Sequence, residues 1–196
     1  MNKIHLLLCF QWVLYCVFHS LLANSKVKKI FNTYFKISSN SYRIGYNLLA
    51  IGWLLALIYN LAAIKSSEIF YPNLYSDILA VILMLTGGAI MIQCIYKYFY
   101  QHSGLSVQKI SVQLQTNGMH SLIRHPLYLG TILFLAGIFI MWPLMKNLFV
   151  IGIIIIYTLA GVWLEEEKLI TQFGDAYIKY KARVPMILPR IKFRNN

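Results

Sequence analysis

Charged residues are scarce: Asp, Glu, Lys and Arg make up 12 % of the 196 residues, against roughly 25 % in an average soluble domain. With 59 % hydrophobic residues, that scarcity excludes a water-soluble globule and implies an integral membrane protein. Polar stretches stay under about thirty residues, too short for a separate soluble domain, so residues 1–196 read as one domain. Cysteine is also rare. Cys9, Cys16 and Cys94 lie inside apolar runs with no CxxC or Cys/His ligand spacing, which predicts buried thiols and excludes a disulfide or a zinc site. No other metal site is expected, because the five histidines form no paired HxxxH boxes and so exclude a histidine-ligated di-iron oxygenase. No GxGxxG follows a strand, since Gly87 and Gly88 fall within an apolar run, and a soluble dinucleotide-type site is excluded. No small-x-small cleavage site follows the first apolar run, which is therefore expected to stay.

What is present is a series of apolar segments at about 4–22, 44–64, 76–97, 127–143 and 147–164, each able to cross roughly 30 Å of hydrocarbon, the last two near the short limit. The expected fold is all-α: five transmembrane helices, the last two forming a C-terminal hairpin, followed by a helical tail over 165–196. The net charge of +12 borders these spans instead of gathering in one patch among stacking aromatics, which argues against nucleic acid and for a role in topology. Fifteen Lys and Arg fall in 24–43, 97–125 and 165–196, against Lys3, Lys65 and Lys146 elsewhere. By the positive-inside rule the N-terminus is outside and the C-terminus cytoplasmic. Between the first two spans, "KVKKIFNTYFK" sets Val27, Ile30, Phe31, Tyr34 and Phe35 on one helical face and lysines on the other, as in a helix lying on the inner leaflet.

The hairpin gives "GMHSLIRHPLYLG" (118–130) its meaning. Its two arms are each about 25 Å long, which brings Arg124 and His125 to the depth of Glu165, Glu166 and Glu167. Three consecutive glutamates cover about 200° of helix surface, so at least one must face the bundle. The plain alternative is that Arg124 snorkels to the headgroups and the glutamates are solvated. Against it stands the sequence that follows: a helix continuing to Phe173, a stop at Gly174, and a new helix with Asp175 as N-cap. That helix carries Tyr177, Tyr180 and Val184 on one face, and Pro185 ends it. On the same side, His19, Arg43, Tyr46 and Asn47 mark the cytoplasmic ends of the first two spans, where ionisable and amide groups at membrane depth are functional candidates.

"RHPLYLG" (124–130), the acidic pair before Leu169, "FGDAYIKY" (173–180) and "VPMILP" (184–189) together resemble the C-terminal signature of the isoprenylcysteine carboxyl methyltransferase and phospholipid methyltransferase group. "FHSLLA" (18–23) and "YRIGYN" (42–47) resemble its bacterial branch, which contains methanethiol S-methyltransferases and membrane proteins linked to nitric-oxide respiration. The resemblance implies an S-adenosylmethionine-dependent methyltransferase of a bacterial inner membrane. Its C-terminal hairpin and tail would enclose the cofactor at the cytoplasmic face, and the acceptor would enter from the lipid. It implies Arg124, His125, Pro126, Tyr128, Gly130, Glu166, Tyr177 and Tyr180 as cofactor residues.

The chemistry suits them. Pro126 fits the first turn of a helix, whose free N–H groups can receive a carboxylate. Glu166 can hold an ammonium or ribose hydroxyls, and the tyrosines can face a sulfonium. Arg124 either binds the cofactor carboxylate or ties the hairpin to a glutamate. On the acceptor side, His19 and Arg43 would serve catalysis as a base and a cation beside a thiolate, with Tyr46 and Asn47 holding the acceptor. The family spans thiols, carboxylates and phospholipid amines, so the acceptor and the oligomeric state stay open. Two competing readings are a sterol-type membrane reductase using a nicotinamide cofactor, which shares the Arg-His-Pro-x-Tyr element, and a non-catalytic accessory membrane protein.

Overall fold

The computed structural model describes residues 3–102 and 114–189. Its helices are α1 (Lys3–Ala23), α2 (Ser25–Phe35), α3 (Ser39–Ala63), α4 (Leu74–His102), α5 (Pro126–Met141), α6 (Met145–Phe173) and α7 (Asp175–Arg183), with a 3₁₀ turn at Gly118–Ser121. Among the described residues there is no sheet, and the only bridge pairs Glu68 with Leu144. Helices α1, α3, α4 and α6 are long and apolar enough to cross a membrane. The 16-residue α5 is a shorter apolar helix.

Capping residues set the boundaries. Asn24 Oδ1 accepts from Lys26 N at 2.9 Å to start α2, and Lys36, at φ 54°, ends it. Ser38 Oγ accepts from Ser41 N at 3.1 Å, so α3 begins at Ser39 instead of near residue 44, adding a polar turn ahead of the apolar run. Asn73 and Ser76 cap α4 reciprocally, with Ser76 N donating to Asn73 Oδ1 at 3.0 Å and Asn73 N to Ser76 Oγ at 2.8 Å.

The chain forms two compact units, Met1–Tyr71 with Trp142–Tyr157, and Pro72–Met141 with Thr158–Asn196. In the first, Leu8, Trp12, Leu57 and Val150 form the buried core, with Tyr15, Trp53 and Leu61 packed around it. One end of this unit is fixed by Lys146. The sequence places this lysine in the turn between the last two spans, whereas it lies in the first turn of α6 and is 7 % exposed. Its Nζ donates to the carbonyls of Leu61 at 2.7 Å and Ile64 at 2.6 Å, with that of Ala62 at 3.4 Å. Those are the carbonyls that the end of α3 leaves without helical partners, and the ammonium supplies the missing donors. Of the three cysteines, all free thiols, Cys16 and Cys94 are buried and Cys9 is half-buried.

In the second unit α4 and α5 meet along small residues. A Cβ added at Gly87 would lie 2.5 Å from Gly130 O and 2.6 Å from Phe134 N; one added at Gly137 would lie 2.7 Å from Ala80 O. Glycine is required at these points because the neighbouring atoms are backbone, which cannot swing aside. A Cβ at the adjacent Gly88 would meet only Phe134 Cδ2, at 3.9 Å.

Candidate functional site

The second unit brings two of the expected cofactor residues, Arg124 and His125, onto the carboxylate of a third, Glu166. Pro126 opens α5, where its missing N–H costs no hydrogen bond. The two residues before it are held by the C-terminal segment: Arg124 N donates to Pro185 O at 2.9 Å and His125 N to Met186 O at 3.0 Å. Their side chains thereby meet α6. Arg124 Nη2 lies 2.8 Å from Glu166 Oε1, His125 Nε2 lies 3.2 Å from the same oxygen, and Lys181 Nζ lies 2.6 Å from Glu166 Oε2. The His125 contact requires the proton on Nε2.

Glu166 is therefore the inward glutamate, 5 % exposed, while Glu167 faces solvent. Glu165 stands between. Its side chain is 46 % exposed, its Oε2 accepts from Tyr128 Oη at 2.9 Å, and His125 Nδ1 is 3.8 Å from that oxygen. Arg124 does act as a tie, and it also keeps capacity for an anion. Its Nη1 donates to Lys181 O at 3.1 Å, but its Nε is buried without a hydrogen-bond partner.

α7 is anchored by its tyrosines. The chain turns out of α6 at Gly174, whose φ of 51° favours glycine. Gly174 is also the N-cap, so Asp175 occupies the first helical position instead of the cap expected from sequence. Tyr177 is 1 % and Tyr180 5 % exposed, and Tyr180 Oη donates to His120 O at 2.6 Å. Burial, reinforced by the Glu166 carboxylate, pushes the Tyr177 hydroxyl well above the usual phenol range, so it stays neutral. Both tyrosines are covered by the protein itself. Gly130 faces α4 at the close approach described above, a packing role.

In the first unit the structure brings together two of the residues expected to serve the acceptor, His19 and Tyr46. Tyr46 Oη lies 3.1 Å from His19 Nδ1 and 3.2 Å from Nε2, so whichever nitrogen lacks the proton can accept. Tyr15 stacks on His19 with ring centroids 5.7 Å apart, and Tyr157 approaches edge-on at 6.5 Å while its hydroxyl meets Ser20 Oγ at 3.0 Å. Arg43, one turn before Tyr46, has its Nη2 3.5 Å from Asn40 Oδ1. Asn47 follows Tyr46 and is half-buried. Sequence reasoning missed Tyr15 and Tyr157. The four-residue spacing of Tyr15 and His19 on α1 was the available signal for the first, and nothing local marked the second.

S-adenosylmethionine presents a carboxylate, an ammonium and a sulfonium, and this donor set fits them: an orphaned guanidinium N–H for an anion, and two adjacent carboxylates for cations. The arrangement places a cluster of charged side chains at the end of α6, one of four helices long and apolar enough to cross a membrane. The chain is 28 % identical to a methanethiol S-methyltransferase of Crocosphaera subtropica over 150 residues, 76 % of this chain and 47 % of that protein. It is 39 % identical to methanethiol S-methyltransferase 1 of Bradyrhizobium diazoefficiens over 80 residues, 39 % of this chain and 26 % of the relative. It is 33 % identical to a protein-S-isoprenylcysteine O-methyltransferase of Xenopus laevis over 127 residues, 61 % of this chain and 38 % of the relative. The chain thus spans less than half the length of the curated relatives it matches. No family model and no solved structure matches it. These similarities bear out the resemblance to the isoprenylcysteine carboxyl methyltransferase group.

Proposed function

We propose that the chain transfers a methyl group from S-adenosylmethionine to a small or lipophilic thiol at the cytoplasmic face of a bacterial inner membrane. The observation that carries this reading is the Arg124–Glu166 ion pair, joined by His125 on the same carboxylate. Three residues to which the resemblance assigns the cofactor thus form one buried cluster. The methanethiol in the names of the two bacterial relatives supports a thiol acceptor.

In this reading α1, α3, α4, α5 and α6 are the five spans of a single domain, with α5 and α6 as the hairpin and the residues from Glu165 onward as the cytoplasmic tail. At about 24 Å, α5 is short for a span, and local thinning of the bilayer accommodates it. The distribution of basic residues supports the orientation. α2 lies on the inner leaflet, offering Ile30, Tyr34 and Phe35, which are 50 %, 78 % and 64 % exposed, to lipid.

When bound, the cofactor supplies a methyl group on a positively charged sulfur. Glu166 would hold the ammonium, Arg124 Nε and the N-terminus of α5 after Pro126 the carboxylate, and Tyr128 the sulfonium. Tyr177 and Tyr180 act by fixing α7. His19 would take the proton of the acceptor thiol, leaving the thiolate that is the competent methyl acceptor. Arg43 lowers the cost of that thiolate, and Tyr46 and Asn47 position the acceptor.

The test is ligand-dependent melting of the detergent-solubilised protein. S-adenosylhomocysteine should raise the melting temperature in a saturable way, and a nicotinamide dinucleotide should not. The reverse result would favour a reductase, and no effect from either would favour an accessory protein.

A further inference from the structure

Glu166 has three side-chain donors converging on its one carboxylate. Arg124 and His125 share Oε1, Lys181 takes Oε2 at 2.6 Å, and all three donors come from the protein itself. A ligand ammonium can reach this carboxylate only by displacing one of them. The three are unequal. The side chains of Arg124 and His125 are 7 % and 4 % exposed, and both residues are pinned through their backbones to Pro185 and Met186. Lys181 is 44 % exposed, belongs to the short terminal α7, and carries its charge on a flexible stem that water can resolvate on release. An ammonium is also the chemical twin of the group it would yield to.

From this we infer that Lys181 is an internal counter-cation occupying the ammonium subsite on Glu166, and that it exchanges with the α-ammonium of the cofactor. The inference rests on the cofactor reading of Glu166 given above. Its consequence is a binding tax: the apparent affinity falls by the fraction of time Lys181 holds the carboxylate. Arg124 Nη1, bonded to the Lys181 carbonyl at 3.1 Å, keeps the α7 backbone in place while the side chain leaves. The exchange therefore needs a rotamer change and no unfolding of the tail.

The experiment uses the purified full chain and calorimetric binding of two probes. S-adenosylhomocysteine carries the amino-acid ammonium; 5′-methylthioadenosine lacks the amino-acid moiety. Lys181→Met should bind S-adenosylhomocysteine three-fold or more tighter than wild type and 5′-methylthioadenosine within two-fold. Lys181→Arg, which keeps a cation on Glu166, should bind S-adenosylhomocysteine no tighter than wild type. In the wild type, saturating S-adenosylhomocysteine should raise acylation of the Lys181 amine at least two-fold, with Lys179 as the exposed reference.

Weaker or unchanged binding in Lys181→Met, or protection of Lys181 on ligand addition, would make Lys181 a structural latch and overturn the exchange while leaving the cofactor reading intact. Should Lys181→Met not fold, the acylation result and the Lys181→Arg affinity decide by the same signs. Absence of any saturable binding to the wild type would overturn both.

Discussion

The Arg124 guanidinium and the Glu166 carboxylate meet at 2.8 Å with side chains only 7 % and 6 % exposed. An ion pair so far from solvent is held by mutual neutralisation, and removing one partner leaves the other charged and unpaired. Glu166→Gln is therefore expected to destabilise the protein by about 3 kcal/mol, whereas Glu167→Gln on the solvent face should stay within about 0.5 kcal/mol. Denaturant unfolding in detergent measures both. Equal effects would mean that total charge, and not this contact, matters.

The same pair of substitutions separates binding from bulk electrostatics. Glu166→Gln or His125→Ala should weaken S-adenosylhomocysteine at least ten-fold, about 1.4 kcal/mol, and Glu167→Gln by two-fold or less. Equilibrium dialysis gives the comparison.

The helix seam offers a test confined to packing. Gly87→Ala would drive a methyl into Gly130 O at 2.5 Å and Phe134 N at 2.6 Å, so α4 and α5 must separate. A loss of about 2 kcal/mol is expected. Gly88→Ala, with nothing nearer than 3.9 Å, should be neutral or gain up to about 1 kcal/mol from helix propensity. Thermal melting of the two variants decides. Equal losses would contradict the seam.

Lys146 can be tested alone. Lys146→Met strands buried carbonyls at the end of α3 and should cost about 2 kcal/mol, read as a lowered melting temperature in detergent. A neutral result would mean that water satisfies those carbonyls.

Much of the fold could be read from the sequence because it depends on local patterns. Apolar length marked the four helices long enough to cross a membrane, and the break at Gly174 marked the start of α7 with Tyr177 and Tyr180 buried on it. The matching motif singled out Glu166, which is buried, while helix periodicity said only that at least one of the three glutamates must turn inward. The rest depended on partners distant in the chain. Lys146 reads as a loop charge until the end of α3 supplies carbonyls, and Lys181 as a solvated residue until Glu166 meets it. Gly130 belongs to the quoted motif, and its close approach to Gly87 on another helix could not be read from the sequence. The cap at Gly174 in place of Asp175 turns on a single positive φ that composition does not announce.

Under the proposed assignment of His19 and Tyr46 to the acceptor, His19→Ala and Tyr46→Phe should cut turnover with a small hydrophobic thiol while leaving S-adenosylhomocysteine affinity within about two-fold. Parallel loss of both quantities would move His19 and Tyr46 to the cofactor side.

The central claim is methyl transfer to a thiol, and its most direct measurement supplies methyl-labelled S-adenosylmethionine and a small alkyl thiol to membranes containing the protein. The account predicts label in the volatile thioether, dependent on the thiol and abolished in Glu166→Gln. Label appearing only in phospholipid or carboxyl ester, or in no product while S-adenosylhomocysteine still binds, would contradict it.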